Sequence, residues 1–294
     1  MNQHYIGKEK DSIVSVEKNL QFENKLFFND GFDKGKEYVF NKFQRCTFSK
    51  ISFYKTSITS SIFENTVFID CYFKHSIIGQ TSFENCIFIN CGFHNMKIET
   101  CKFFYTEWKN TYIKFDTIKN SLPREYGYKK RLCKTMADNC LDDGNMEEYK
   151  KFFFEGIKAK ENNYKEIILR REDHYKKNYN IYDSFKYAVK FVWSKLMGIV
   201  WGYGEKVMNI LYSSIVVIGI YAVLYNNSYN ITGIDNSLFS NSLFISIASF
   251  FNIDSGVIFN DMITKYIGIS ENILGLVFMG IFVAYLFRSI NSRR

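Results

Sequence analysis

Apolar residues follow two different patterns, one in the first half of the chain and one in its last third. From Phe48 to Ile118 an apolar residue recurs at every fifth position without exception. Neither the ~3.6-residue period of an amphipathic helix nor the two-residue period of a half-buried strand gives this spacing. Residues 207–287, in contrast, contain long apolar segments that carry almost no charge. We therefore predict a repetitive solenoid first and a region of a different structural class at the end.

The repetitive segment has fifteen such apolar positions in succession. They are Phe48, Phe53, Ile58, Phe63, Phe68, Phe73, Ile78, Phe83, Phe88, Phe93, Ile98, Phe103, Trp108, Ile113 and Ile118. A small or compact residue stands two positions before most of them, namely Cys46, Thr56, Ser61, Thr66, Cys71, Ser76, Thr81, Cys86, Cys91, Cys101, Thr106 and Thr111. This double five-residue repeat is typical of a solenoid, in which each repeat contacts only its neighbours.

The spacing resembles that of the pentapeptide-repeat family. The resemblance implies a right-handed quadrilateral β-helix over residues 21–122, in which the large residue and the small residue two positions before it both point inward. Five-residue sides that each turn a corner stack coil on coil at ~4.8 Å, so fifteen repeats give about four coils around an aromatic column. Phe22, Phe27 and Phe32 are one residue out of phase with Tyr38 and Phe43. A single-residue insertion within residues 33–37 therefore lets the array begin earlier, after an N-terminal segment at 1–20.

Five of the seven cysteines occupy the small position of the repeat. They are Cys46, Cys71, Cys86, Cys91 and Cys101. A free thiol in such a position behaves as a compact apolar group. The spacing of Cys86 and Cys91 matches no common zinc pattern, so neither a metal nor a cofactor is predicted. Reduced thiols fit a cytoplasmic location.

Residues 123–205 are predicted to form a helical connector. Pro123 closes the array, and the apolar period after it is helical. Helices are predicted at 128–140 and 146–162. Asn145 stands directly before the second helix, where its side chain can cap the first turn. The two helices together are therefore expected to form a hairpin.

The last part of the connector is predicted to lie at a membrane surface. A helix at 181–200 has an apolar stripe on one side and lysines elsewhere, as basic amphipathic helices at membrane surfaces do. Packing of the stripe against a partner domain explains it equally well. Trp201 and Tyr203 follow in a Trp-Gly-Tyr-Gly-Glu turn and are predicted to be aromatic anchors at the membrane interface.

The final segment, 206–294, is predicted to be a membrane hairpin. Residues 207–225 are uncharged, and residues 267–287 carry one charge, Glu271. Each is long enough to cross a ~30 Å hydrocarbon core. Between them, the apolar residues 243–253 number eleven, well below the ~17 that a span requires. We therefore predict a helix at 242–252 that enters the membrane and returns between the two spans.

Residues 242–256 resemble the pore helix and selectivity filter of two-transmembrane potassium-type channels. The resemblance places the filter at Asn252, Ile253, Asp254, Ser255 and Gly256. Asp254 stands where the family has its first filter glycine, Ser255 replaces its tyrosine, and Gly256 is the only filter glycine retained. Potassium selectivity is therefore not implied, because the carbonyl cage needs both glycines. Four subunits would instead present a ring of Asp254 carboxylates, which selects cations by charge.

The same resemblance assigns roles in the second span. Glu271, Gly275 and Gly280 are candidates for lining the pore or forming its gate, and Arg288 is a candidate interfacial anchor just after the span. The alternative is that the loop at 252–256 no longer forms a filter and that the hairpin only anchors the chain.

Charge predicts the orientation of this hairpin. The chain carries a net charge of +8. Lysines and arginines precede the first span and follow the second. The segment between the spans carries Asp235, Asp254 and Asp261 against Lys265 alone. The positive-inside rule then places both termini in the cytoplasm. The abundance of Asn, Lys, Ile, Tyr and Phe is typical of a bacterial protein, so the membrane is predicted to be the inner membrane of a bacterium. Residues 1–19 lack the apolar region of a signal peptide.

Taken together, these patterns predict a multidomain β + α membrane protein. The first functional hypothesis is a cation-conducting homo-oligomer, a tetramer, whose cytoplasmic solenoid senses or docks a protein partner. The alternative is a membrane-anchored scaffold with a non-conducting hairpin. No enzyme is predicted, because the four histidines are scattered and no nucleophile or phosphate-binding motif occurs. No nucleic-acid partner is predicted either, and the lysine-rich outward positions have the wrong sign for a DNA mimic.

Overall fold

The structure is a computed structural model that describes residues 8–12, 19–227, 231–233 and 238–291, with side chains up to Phe287. The chain divides into two compact units between Tyr187 and Ala188. The first unit contains a β-solenoid followed by helices, and the second is helical with one short β-ribbon.

The solenoid consists of about five coils of short parallel strands. The strands are β1 (Glu9–Asp11), β2 (Gln21–Glu23), β3 (Lys25–Phe28), β4 (Glu37–Val39), β5 (Lys42–Gln44), β6 (Thr47–Ser49), β7 (Ser57–Thr59), β8 (Ile62–Glu64), β9 (Val67–Ile69), β10 (Ile77–Gly79), β11 (Ser82–Glu84), β12 (Ile87–Ile89), β13 (Lys97–Glu99), β14 (Lys102–Phe104) and β15 (Glu107–Lys109). In the described residues they form sheets of six, five and four strands, which are three sides of the coil. A row of single bridges, Gly31 to Ser52 to Tyr72 to Gly92, forms the fourth side.

The register of the coils confirms the predicted insertion. In most of the solenoid, paired residues are twenty apart in the chain, as Phe83 is from both Phe63 and Phe103. From β2 to Gly31 each residue pairs with one twenty-one positions later, as Gly31 does with Ser52. The twenty-residue register is restored at the next side, where β4 pairs with β7. The extra residue therefore lies between Gly31 and β4, within the region that the sequence pattern indicates.

The inward positions form columns of stacked rings. Phe68 stacks on Phe48 at 5.2 Å and on Phe88 at 4.8 Å, and Phe88 stacks on Trp108 at 4.2 Å. These centroid distances are close to the ~4.8 Å spacing between strands, so the rings of successive coils stack in direct contact. Fourteen of the fifteen predicted apolar positions are buried, and Ile98 is partly buried against the same core. The five cysteines of the array are buried as well.

The corners of the solenoid depend on left-handed backbone. From Phe40 to Asn110 every fifth residue has a positive φ, for example 53° at Asn85 and 53° at Thr100. Asparagine tolerates this conformation, whereas a β-branched residue such as Thr100 is strained in it. The many asparagines of the array therefore mark its corners, a signal that the apolar pattern alone does not show.

Both ends of the solenoid differ from the predicted boundaries. At the start, β1 pairs with β3, so the sheet already includes residues before 21. At the other end the strands stop at Lys109, although the array was predicted to run to 122. Ile113 and Ile118 remain buried, but the chain there turns into the short helix α1 (Phe115–Ile118). No further coil follows to pair with, and helices cover this end instead.

The helical hairpin after the solenoid forms as predicted. Helices α2 (Tyr126–Asp142) and α3 (Met146–Leu169) pack together, and the Glu148 N–H donates to Oδ1 of the capping residue Asn145 at 3.2 Å. The hairpin closes the last coil through polar contacts. The Asn139 side-chain amide donates to the carbonyl oxygens of Trp108 and Thr111, at 3.1 and 2.7 Å. Helix α3 extends seven residues beyond the predicted end at 162, up to the left-handed Arg170.

Two further helices complete the connector. They are α4 (Asp173–Asn178) and α5 (Ile181–Trp201). The apolar stripe of α5 is exposed along Phe185, Val189, Val192, Leu196 and Ile199. The predicted amphipathic helix is confirmed, whereas its contact with a membrane stays a prediction.

The second unit contains α6 (Val207–Asn226), β16 (Ile231–Thr232), α7 (Phe239–Phe250), β17 (Ile258–Phe259) and α8 (Met262–Asn291). Strands β16 and β17 pair antiparallel. Among the residues described, Val207–Asn226 and Met262–Phe287 are long and apolar enough to cross a membrane. Only 11% and 22% of their most apolar windows are buried, unlike the core helices of soluble proteins. Helix α7 begins three residues before the predicted start at 242.

Candidate functional site

The candidate site lies in the second unit, where the short helix α7 packs between the two long helices. Near the C-terminal end of α7, Phe250 packs against Ile210 of α6 and Phe278 of α8. Closer to its middle, Ile245 packs in a second apolar cluster with Tyr225 and Ile231. Helix α7 is therefore an integral layer of this unit rather than a loose connection.

A buried carboxylate joins the three helices. Tyr225 of α6 donates its hydroxyl to Oε2 of Glu271 at 2.8 Å, and Ser246 of α7 donates to Oε1 at 2.5 Å. All three side chains are fully buried. A carboxylate out of contact with water is costly unless donors surround it, so the two hydroxyls stabilise Glu271 and tie α6 and α7 to α8.

A close backbone contact fixes the C-terminal end of α7 against α8. A Cβ atom at Gly275 would lie 1.9 Å from the carbonyl oxygen of Phe250, a distance at which no side chain fits. The neighbouring Asn252 side-chain amide donates to the carbonyl oxygen of Asn272 at 3.3 Å. Gly275 is therefore required for the two helices to meet. At Gly280, by contrast, an added Cβ would meet nothing within 4 Å.

The five predicted filter residues form one loop between α7 and β17. Asn252 and Gly256 both have positive φ, 54° and 66°, and the Gly256 N–H donates to Oδ1 of Asp254 at 2.9 Å. Asn252, Ile253 and Asp254 are exposed on the surface of the unit. The loop is thus a turn whose carboxylate binds its own backbone, and its exposed face is available to solvent or to another subunit.

The other predicted residues fall in different places. Glu271 and Gly275 lie inside the unit and contact α7, whereas Gly280 faces open space. Their roles in a pore stay predictions. Trp201 and Tyr203 lie at the predicted tight turn, in which Tyr203 has a φ of 55°. The side chain of Arg288 lies outside the described residues.

The hydroxyl partners of Glu271 are functional candidates that sequence reasoning missed. Glu271 is conspicuous as the single charge of its span, but Tyr225 and Ser246 stand among many hydroxyl residues in apolar segments. A tyrosine at the end of a span also fits an ordinary interfacial position. The only usable signal is the general rule that a carboxylate within a span needs a buried donor nearby.

The first unit contains a polar cavity of about 400 Å³ where the last coil meets α2. Several of its amides already bind the protein itself. Asn110 donates to the Asn90 side chain at 2.9 Å, and Asn139 donates to the backbone of the last coil. Because these groups stabilise the solenoid, they do not form a set of free ligands.

The thiols of the first unit are protected from reaction. Burial raises the pKa of Cys86 and of Cys133 to about 12, and that of Cys101 to about 11. A thiol with such a pKa is almost entirely protonated near neutral pH and is a poor nucleophile or metal ligand. These cysteines therefore serve as core residues.

The comparison with protein families agrees with the solenoid. The family model described as pentapeptide repeats (8 copies) matches residues 66–103. Two solved structures of trypsin-treated QnrB1, a plasmid-mediated fluoroquinolone resistance protein, match 33% of this chain each. One has 17% identity over 50% of its own length with a TM-score of 0.29, and the other 14% over 69% with a TM-score of 0.20. No curated protein matches the chain.

The family match lies within the solenoid and includes none of the helices that follow it. The matched part of the chain spans half the length of the first QnrB1 structure. The chain therefore contains pentapeptide repeats, and they form a β-solenoid at its N-terminal side.

Proposed function

We propose that the chain forms an oligomeric, tetrameric channel for cations in a bacterial inner membrane, with the solenoid in the cytoplasm. The observation that supports this proposal most strongly is the packing of α7 between α6 and α8. Its twelve residues extend about 18 Å, too short to cross a bilayer. A half-length helix that ends in an exposed loop is tolerated at membrane depth only where protein or water covers the loop.

The surface of the second unit supports a membrane location. Ile215 and Ile220 of α6 and Leu276 and Val283 of α8 are all exposed in the single chain. Soluble monomeric proteins rarely leave so many large apolar side chains uncovered in one region. Lipid tails and neighbouring subunits would cover these faces.

The number of candidate spans supports oligomerisation. Two spans in one chain cannot enclose a water-filled path, so symmetry has to complete it. In a tetramer the exposed Asp254 loops would meet around the axis and present four carboxylates to passing ions. Cations are the expected substrate because a carboxylate ring attracts them and repels anions.

The experiment is an ion-flux assay with the purified protein in liposomes. Flux of monovalent cations is expected, and Asp254→Asn is expected to reduce the preference for cations over anions. Asp261→Asn is the matched control, because Asp261 caps α8 through the Thr264 N–H at 2.9 Å and asparagine caps equally well. An unchanged ion preference in Asp254→Asn would reject the assigned filter.

A membrane-anchored scaffold is the second candidate function. The bond from the Gly256 N–H to Asp254 favours it, because this carboxylate already has a partner within its own loop. In this case the hairpin only anchors the chain, and the solenoid presents its surface to a cytoplasmic protein. Liposomes with the protein would then show no flux, and native mass spectrometry in detergent would show a monomer or dimer instead of a tetramer. Neither proposal assigns catalysis to the chain.

A further inference from the structure

The helical hairpin of the first unit carries an apolar groove with no assigned role. The groove has a volume of about 270 Å³ and lies along the seam between α2 and α3. Its lining includes Lys130, Lys134 and Leu141 from α2, and Phe153, Gly156 and Lys160 from α3. These positions recur at helical spacing, so the groove follows one continuous face of each helix.

The floor of the groove is well packed, and its walls are accessible. A Cβ at Gly156 would lie 3.3 Å from Cβ of Cys133, so this glycine allows the helices to approach closely. Ala137 and Phe152 are buried beneath, whereas Leu141 is 43% exposed on the rim. An open apolar trough of this kind covers one side of an occupant and leaves its other side in water.

The charge around the groove is predominantly positive. Lys130, Lys134 and Lys160 line it against the single acid Asp138. Lys130 and Lys134 make no ion pair with the residues that the structure describes, and the Lys160 ammonium lies 5.7 Å from the centre of the Tyr164 ring. The lysines line the same groove as Leu141, Phe152 and Phe153, so positive charge adjoins apolar surface. The site therefore complements an occupant that is both apolar and acidic.

We propose that this groove binds an amphipathic helix of a partner protein that carries acidic residues beside its apolar stripe. Such helices lie in grooves with their apolar face down and their polar face in water. The groove is open along the seam, which suits a helix better than a fatty acid, since small ligands are normally enclosed over most of their surface. This proposal does not depend on the proposed channel.

The chain itself does not supply a suitable occupant in its exposed apolar helix. Helix α5 has an exposed apolar stripe, but it carries Lys186, Lys190 and Lys195 against Asp183. In a second copy of the chain, that helix would bring lysines towards the lysines of the groove. Like charges at such an interface oppose binding, so an acidic helix from another protein is the complementary occupant.

The test uses the full chain in detergent and a synthetic amphipathic helix of about four turns, with a leucine stripe flanked by glutamates. Fluorescence anisotropy of the labelled peptide should show saturable binding. The double variant Lys130→Glu/Lys134→Glu should weaken binding at least about tenfold, because each charge now repels the peptide. Leu141→Asn should weaken it as well, since this rim residue is 43% exposed and would contact the occupant's apolar face.

The controls separate this outcome from nonspecific attraction. Lys97→Glu/Lys102→Glu reverses two exposed solenoid lysines and should leave binding unchanged, and a peptide with lysines in place of the glutamates should not bind. Absence of peptide binding, or equal binding by both double variants, would overturn the proposal. Saturable binding of laurate by the chain, together with failure of the peptide to bind, would overturn the proposal in favour of a small anionic amphiphile.

Discussion

At the scale of single residues, the solenoid depends on contacts between rings in successive coils. Phe68 is 1% exposed and stacks on one ring below and one above, so its removal leaves a cavity that the rigid columns cannot close. We expect Phe68→Ala to lower the free energy of unfolding by about 3–5 kcal/mol. Urea unfolding followed by far-UV circular dichroism measures this loss.

Phe28→Ala is the matched control for that change. Phe28 lies in the same six-stranded sheet but points outward and is 40% exposed. Its removal exposes no cavity, so the loss should stay within about 1 kcal/mol. Equal losses for Phe28 and Phe68 would contradict the stacked core.

The buried carboxylate of the second unit gives another prediction for individual side chains. Tyr225→Phe removes one of the two described donors to Glu271 and should destabilise the unit by about 1–3 kcal/mol. Thermal unfolding in detergent measures the effect. Tyr221→Phe is the control, because the Tyr221 hydroxyl bonds the uncharged Ser270 hydroxyl at an exposed position, so its loss leaves no buried charge without a donor. The idea fails if the two variants are equally stable.

At the scale of elements, the contact between α7 and α8 makes Gly275 irreplaceable. Gly275→Ala would place a methyl group on the Phe250 carbonyl oxygen, so α7 has to move away from α8. We expect a loss of several kcal/mol, about the cost of severe overpacking or more, and a lower unfolding temperature in detergent. Gly280→Ala places its methyl group in open space and should be neutral or slightly stabilising. A neutral Gly275→Ala would show that the helices do not meet as described.

The elements differ in how far the sequence predicts them. The five-residue spacing predicts the coils and even the insertion near Gly35, because the inward residues follow one another at fixed intervals along the chain. The end of the array is harder to predict. Ile113 and Ile118 keep the apolar spacing and remain buried, yet the chain leaves the sheet after Lys109 because helices rather than another coil cover it. The apolar spacing predicts that a residue is buried, but it does not predict which strand or helix covers that residue.

The candidate site shows the same limit. Loop residues such as Asp254 and Gly256 are neighbours in the sequence, so a motif can predict that they act together. The partners of Glu271 are 46 and 25 residues away, and their meeting depends on how three helices pack. The groove between α2 and α3 likewise exists only after Gly156 brings the two helices together.

At the scale of the whole molecule, each unit has its own hydrophobic core. One apolar cluster runs through the solenoid columns into α2 and α3, and two smaller clusters lie among α6, α7 and α8. In the first unit each coil rests on its neighbours, so a defect in one coil weakens the contacts on both sides of it. The two units should therefore respond separately to changes in their cores.

The cysteines make this separation measurable, because all seven lie between Cys46 and Cys140, within the first unit. The raised pKa values, about 12 for Cys86 and Cys133, keep folded thiols protonated, whereas unfolded thiols ionise near pH ~8.5. Above that pH the folded state binds more protons than the unfolded state, so these thiols make the first unit less stable as pH rises towards 12. Labelling with a thiol reagent should therefore be slow at pH ~8 and accelerate as pH rises. At fixed pH, Phe68→Ala should accelerate labelling and Gly275→Ala should not, and an equal acceleration by both would show that the two cores open together.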